Sequence, residues 1–272
     1  MLDTVTLSAI VRLVGKISSI LPLFILSPPI FNIDGVQNEL SFLKCDPLLY
    51  NINVKGIVGE GGTSIVYKIS ASDSLKAREP KLYALKSGKP HSSKKISHEC
   101  AILNRLYEVN IPGIEKCISI CTTEERKQDD SQSFTSIVLD PYIAHPAPIK
   151  LEVEDVYQLV DIVTYVIKRG ITLTDLQYLK DSDRDQIYLI DFTEAVELSP
   201  LSNLSNLDVI RIRNFISELL SIIPYSFMDE AVQRILNNFD ISLNDEGFET
   251  HNGIDYLQSV IYDILLAYRG LQ

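Results

Sequence analysis

Cysteine and histidine are scarce in this chain of 272 residues, with four of each: Cys45, Cys100, Cys117 and Cys121, and His91, His98, His145 and His251. Four cysteines are too few for a disulfide scaffold, and only Cys117 and Cys121 are close in sequence, without a second Cys/His pair at zinc spacing. They read as reduced core thiols. The scattered histidines form no metal or triad pattern and read as surface or incidental residues. Basic charge is also in deficit: 25 Lys+Arg against 36 Asp+Glu leaves −11, which opposes broad attraction to phosphate backbones or anionic lipid and excludes nucleic acid as a partner. Glycine and proline number 12 each, and with 46% hydrophobic and 22% charged residues the chain is neither collagen-like, coiled-coil nor disordered. No internal repeat or low-complexity tract is visible. The length allows one large domain or two small ones and a substantial buried core.

A membrane-spanning run is missing as well. The apolar stretch Ile17 to Leu26 follows Arg12 and Lys16 but is interrupted by Pro22, falls short of the roughly 20 residues that cross a bilayer, and is followed by Pro28-Pro29 rather than a small-residue cleavage site. Three readings of the N-terminus stay open: a segment packed on the domain, a targeting or membrane-surface element over residues 1–31, or a poorly chosen start site. The expected location is intracellular, whether cytoplasmic, organellar as in a plastid, or membrane-associated.

What is present changes character midway. Ile52, Val54 and Ile57-Val58 predict a strand, a Gly-rich turn follows, and Ile65-Val66-Tyr67-Lys68-Ile69 predicts its hairpin partner. A polar stretch leads to a third short strand, Leu82 to Leu85, ending in Lys86. A helix is expected from about Lys94 to Glu108, with Glu99 and Arg105 off its apolar face. Two strands near Cys117 to Cys121 and Phe134 to Leu139 flank a charged stretch, Thr122 to Ser133, that reads as a mobile loop. From Val153 onward the period is helical: Val156, Leu159, Val160, Val163, Val166 and Ile167 recur at three- and four-residue steps, and Gly170 ends the helix. A strand Ile187 to Ile190 and helices over Val209 to Ile222, Met228 to Phe239 and Ile254 to Tyr268 follow.

The chemistry begins at Gly59-Glu60-Gly61-Gly62-Thr63-Ser64-Ile65-Val66, where glycines let a backbone approach phosphate closely. A dinucleotide-binding motif would open a helix here, but the following residues are β-branched, so a hairpin covering a nucleotide fits better. A turn needing glycine for positive φ is the plain alternative. Tyr83-Ala84-Leu85-Lys86 then places a lysine on the third strand, and Glu99 lies on the next helix, where a carboxylate can hold the ammonium toward phosphates.

In that order of parts the chain resembles the protein kinase-like superfamily, over roughly residues 50 to 222. The resemblance implies an α+β, bilobal kinase-like fold: an extension over 1–49, a β-rich N-lobe over 50–141, and a reduced α-helical C-lobe over 142–272 with a shortened activation segment. It implies ATP and Mg²⁺ as ligands. Gly59, Gly61, Gly62 and Ser64 would line the phosphates, Ser64 replacing the third glycine of the loop. Lys86 and Glu99 would form the ion pair. Val66 and Ala84 would cover the adenine, with Leu139 behind it and the backbone near Asp140 and Tyr142 at its edge. Thr172-Leu173-Thr174-Asp175-Leu176-Gln177 resembles the catalytic loop, with Asp175 as the base, and Ile190-Asp191-Phe192-Thr193 resembles the metal-binding motif, with Asp191 holding Mg²⁺. The pairing of these two segments is similar to a small divergent group of kinase-like proteins in plants and algae.

The departures are equally specific. Leu173 and Thr174 stand where the family keeps His and Arg, Gln177 where it keeps Lys, and Thr193 where it keeps Gly. The second metal ligand, normally Asn, falls on Lys180 in an ungapped alignment or on Tyr178 counting back from Asp191, and neither replaces it. Expectations therefore divide. One is a slow, constitutive phosphotransferase acting on a protein Ser/Thr hydroxyl or a small-molecule acceptor. The other is a pseudokinase scaffold, with or without nucleotide. The plain readings are Asp175 as a turn residue, Asp191 as a strand-end cap, and a chance coincidence in an unrelated α+β fold.

Overall fold

The β-branched and aromatic segments of the first half pair into one six-stranded antiparallel sheet. It is seen in a computed structural model of the chain, described over residues 43–75, 79–107, 112–126, 131–143, 150–200 and 204–239. All of these belong to one unit, Glu39–Gln272. The strands are β1 (Lys44–Asp46), β2 (Tyr50–Glu60), β3 (Ser64–Ser72), β4 (Lys81–Gly88), β5 (Lys116–Arg126) and β6 (Ser131–Asp140), in spatial order β1-β5-β6-β4-β3-β2. Helix α1 (Ser93–Leu106) lies between β4 and β5 in the chain and buries Ile96, Cys100, Ile102, Leu103 and Leu106. The second half supplies α2 (Val153–Lys168), α3 (Asn206–Ile222) and α4 (Met228–Asn238). Two small antiparallel ribbons complete it: β7 (Ile171–Thr172) with β10 (Val196–Glu197), and β8 (Gln177–Asp181) with β9 (Gln186–Ile190). The expected α+β class, β-rich first and helical second, is the one observed.

Helix α2 forms because its apolar residues share one face. Val156, Leu159, Val160, Val163 and Val166 are fully buried, each burial contributing roughly 1.5–3 kcal/mol. Asp155 and Glu152 close a capping box at its start, and Gly170, at φ +72°, ends it where a left-handed residue is needed. The same core continues through Ile96 and Leu103 of α1 to Phe215 of α3 and Ile235 of α4.

One glycine ties the sheet to the second half. Gly113, at φ +93°, accepts a hydrogen bond from Leu189 N at 2.9 Å, and Ile114 bridges Leu189 in parallel. A Cβ there would lie 2.2 Å from Ile162 Cδ1 and 2.7 Å from Ile187 O. The close approach aligns β9, which leads directly into Asp191, with the entry to β5.

Several expectations are corrected. Thr122 to Ser133 is mostly not loop: β5 and β6 stay paired out to Arg126↔Ser131, because cross-strand backbone bonds can hold a polar ribbon whose composition alone reads as loop. The short β1, β7 and β10 and the strand β8 carried no apolar period long enough to be read. The cysteines are not thiols. Cys45 lies directly opposite Cys121 on β1 and β5, and Cys100 of α1 reaches Cys117 of β5; the two pairs are disulfides, 76 and 17 residues apart in sequence. Their pairing is a product of strand register and helix packing. The apolar run Ile17 to Leu26 and the helix expected over Ile254 to Tyr268 lie outside the described residues. Among the described residues no helix is long and apolar enough to cross a membrane.

Peptide mapping without reductant is expected to recover Cys45–Cys121 and Cys100–Cys117; mapping of free or differently paired thiols would contradict these links. Gly113→Ala is expected to lower unfolding free energy by about 2–4 kcal/mol, through overpacking and a disfavoured φ, in urea titration; an unchanged midpoint would show that β9 and α2 yield freely.

Candidate functional site

The site is assembled from one face of the sheet, helix α1 and the β8–β9 hairpin. In the β2–β3 turn, Gly59 pairs with Val66 and Glu60 with Ile65, and Gly61 N donates to Ser64 O at 2.9 Å. None of Gly59, Gly61 and Gly62 has a positive φ, so the turn does not need glycine for its backbone conformation. Their value is space: a Cβ at Gly62 would meet nothing within 4 Å, and at Gly59 and Gly61 nothing nearer than 4.0 Å. Lys89 N donates to Thr63 O at 2.8 Å and Lys89 Nζ pairs with Glu60 at 2.7 Å, fastening the turn to the end of β4. Ser64 is buried.

Register then sets the shared face. Val66 lies opposite Lys86, Ala84 opposite Leu139, and Lys86 opposite Ile137. Cross-strand partners project to the same side, so Val66, Ala84, Lys86 and Leu139 form one surface. At the end of β6, Asp140 is paired with Lys81 at 2.6 Å, and just beyond it the Lys68 ammonium sits 5.1 Å from the Tyr142 ring centroid.

Lys86 is the centre. Its side chain is 7% exposed, and its ammonium lies 2.9 and 2.8 Å from the two carboxylate oxygens of Glu99 and 2.8 Å from Asp191 Oδ1. Residues 13 and 105 positions away thus meet on one buried nitrogen. Burial alone would lower the lysine pKa, but Glu99 and Asp191 outweigh it and raise it. Burial pushes the Glu99 carboxyl up, against the pull of Lys86 and of Phe192 N, which donates to Oε1 at 3.0 Å. For Asp191 burial also raises the pKa, but Lys86 and Thr193 prevail and hold it below the usual carboxylate range. The cluster thus favours the charged forms of Lys86 and Asp191, while burial works against that of Glu99.

Asp191 is no simple strand-end cap. It has φ +61°, a conformation rare for a non-glycine residue. Its Oδ1 accepts from Lys86, from Thr193 N at 3.4 Å and from the Thr193 hydroxyl, while Oδ2 has no partner among the described residues. The neighbouring Phe192 is fully buried and anchors the turn.

Asp175 is exposed and accepts from the Gln177 amide at 2.6 Å. Gln177 opens β8 directly across from Ile190, the residue before Asp191, so both acids sit at the same end of the hairpin. The position expected to carry the second metal ligand resolves differently from either alignment. Lys180 is paired with Asp155 at 2.8 Å and Asp185 at 3.0 Å, and Tyr178 pairs with Leu189, one step further from Asp191. Register instead sets Gln177 opposite Ile190, with its amide bonded to Asp175, and only a recognised β8 could have revealed that pairing.

Two further residues escaped sequence reading. His98, expected to be incidental, bonds through Nε2 to Ala195 O at 2.9 Å. It joins Lys95–Glu194 and Arg105–Glu197 in clasping the segment after Asp191 to α1, and Arg105 also donates to Arg169 O at 2.9 Å. The exposed ion pairs are each worth little, yet all four contacts register the same two elements or the helix end beside them. Glu115, just before β5, is 7% exposed with no hydrogen-bond or ion-pair partner among the described residues. Burial first, then the neighbouring Glu99 charge, pushes its carboxyl up to about 8.

Among the described residues no group of three or more His, Cys, Asp or Glu could hold a metal ion alone. Asp191, whose Oδ2 has no partner among the described residues, nevertheless fits a hard cation that takes one or two carboxylates and completes its shell with ligand phosphates and water, as Mg²⁺ does.

No family model and no curated protein matches the chain. Among solved structures, one of the CAK complex from Chaetomium thermophilum bound to ATP-γ-S is similar over 68% of this chain and 68% of that chain, at 16% identity and a TM-score of 0.43. An overlap of that quality assigns no function.

A carboxyl whose folded pKa lies above its unfolded value of 4.5 binds more protons folded than unfolded, so its burial removes stability as pH rises from about 4.5 to about 8. Glu115→Gln is expected to raise stability at pH 7 by about 1–3 kcal/mol and to leave it nearly unchanged near pH 4.5. Equal effects at both pH values would place Glu115 elsewhere than in a desolvated site.

Proposed function

We propose that this chain is a kinase-like, ATP-binding protein that transfers a phosphoryl group from ATP to a hydroxyl acceptor, a protein Ser/Thr or a small molecule. One observation carries the reading: Lys86, Glu99 and Asp191, from a strand, a helix and the end of a distant hairpin, converge on one nitrogen, and Lys86 lies across from Val66, which itself pairs with Gly59 of the glycine turn. One of the two carboxylates, that of Asp191, keeps an oxygen with no partner among the described residues.

In this reading residues 50–141 form the N-lobe and 142–272 the C-lobe, with the nucleotide between them. Val66, Ala84 and Leu139 border the base, with the backbone near Asp140 and Tyr142 at its edge. Gly59, Gly61, Gly62 and Ser64 leave room for the phosphates. Lys86, held by Glu99, orients the α and β phosphates. Mg²⁺, held by Asp191, would neutralise phosphate charge. Asp175 takes the acceptor proton as the acceptor oxygen bonds to the γ-phosphorus and the bond to the β-phosphate oxygen breaks, leaving ADP. With Leu173 and Thr174 in place of the family's His and Arg, little is left to respond to loop phosphorylation. The clasp of α1 on residues 194–197 supports a site assembled at all times.

A second reading is a nucleotide-binding scaffold without transfer, favoured by the Gln177 amide that occupies Asp175 Oδ2. The two disulfides favour a compartment with an oxidising thiol poise among those the sequence leaves open.

Thermal unfolding is expected to shift upward by several degrees with saturating ATP and Mg²⁺, and by less with ATP alone or in Asp191→Asn. Turnover, followed as ADP release, is expected to fall at least about 100-fold in Asp175→Asn. A shift without turnover in the native protein would select the scaffold; no shift with ATP under any condition would refute nucleotide binding.

A further inference from the structure

Thr193 stands where the kinase-like family keeps glycine, and it does not behave as a passive replacement. It is 5% exposed, and its hydroxyl donates to Asp191 Oδ1 while its backbone N–H points to the same oxygen at 3.4 Å. The Asp-Phe-Thr turn is therefore closed by a side chain gripping the residue two positions before it, an Asx-type arrangement reinforced by a second donor. Lys86 adds a third donor to that oxygen at 2.8 Å. With Oδ1 engaged from three sides, rotation of the carboxylate is restricted and the other oxygen, without a partner among the described residues, is left at the exposed side of a 31% exposed group.

The rest of the turn supports the same arrangement. Asp191 holds a left-handed φ of +61°, a conformation that persists only where surrounding contacts over-determine it. Phe192, fully buried, fixes the turn from one side, and its N–H is bound to Glu99. Thr193, with two heavy atoms on Cβ, has few rotamers open to it and resists the backbone rearrangement that a glycine would permit.

We propose that Thr193 is a positioning residue: its hydroxyl clamps one oxygen of Asp191 so that the other is presented permanently to a divalent cation, where a glycine would leave the turn free to move. The inference rests on the proposed reading of Asp191 as the cation-binding residue. It predicts a site preset for metal and nucleotide together, without an alternative turn conformation that excludes the cation.

The test measures Mn²⁺ binding to the full chain in the presence of ADP, by water-proton relaxation, alongside metal-free ADP affinity by calorimetry. Thr193→Val keeps the shape and removes the hydroxyl. It is expected to weaken Mn²⁺ binding about tenfold, Thr193→Ser to stay within about twofold of the native chain, and metal-free ADP affinity to be unchanged in both. Rescue by serine is the readout that a packing role would not give; should the valine variant fail to fold, Thr193→Ala against Thr193→Ser makes the same comparison. Native-like Mn²⁺ binding in Thr193→Val, with binding lost in Asp191→Asn, overturns the clamp while sparing the reading of Asp191. Native-like binding in Asp191→Asn overturns both, since the cation would then sit elsewhere.

Discussion

A buried ammonium cannot remain charged without partners, and the site described here is organised around that constraint. Removing Lys86 from water carries a desolvation penalty of several kcal/mol, which only close, well-oriented anions offset. Glu99 supplies two oxygens and Asp191 one. Because these residues lie on α1 and after β9, satisfying the lysine forces the helix and the hairpin into one relation with the sheet. The chain reinforces that relation from other directions: Gly113 brings β9 against the entry to β5, Cys100–Cys117 ties α1 to β5, and Lys95, His98 and Arg105 hold the segment that follows Asp191.

A fold built this way gives its electrostatics a direction. The lysine is shared by two carboxylates, and Asp191 Oδ2 has no partner among the described residues. Glu115 adds a second buried carboxyl within electrostatic reach of Lys86 and Glu99, kept largely neutral by desolvation near pH 7. Were it ionised it would compete for Lys86.

Much of this arrangement was legible in the sequence, and the reasons are local. Ile65 to Ile69 is β-branched, which decided hairpin over helix after the glycines. Lys86 and Glu99 stood out through their order after that hairpin, and α2 through its strict helical period. What stayed hidden depends on register and distance. Gln177 is a polar residue in an unremarkable stretch until β8 pairs it with Ile190. The cysteines looked isolated because strand order, not sequence spacing, sets Cys45 opposite Cys121. Glu115 carries no pattern at all, since burial of one carboxyl leaves no mark on its neighbours. Thr193 was visible as a departure, but its bond to Asp191 follows from a left-handed turn that the sequence does not announce.

On the proposed reading, the Lys86 ammonium faces the phosphates of a bound nucleotide while resting on Glu99. An acyl-phosphate analogue of ATP, which transfers its acyl group to a lysine amine beside the phosphates, tests it most directly when the modified peptide is identified by mass spectrometry. Labelling of Lys86 is expected, blocked by excess ATP and sharply reduced in Glu99→Ala. Labelling confined to surface lysines such as Lys89 or Lys95, unaffected by ATP, would contradict it.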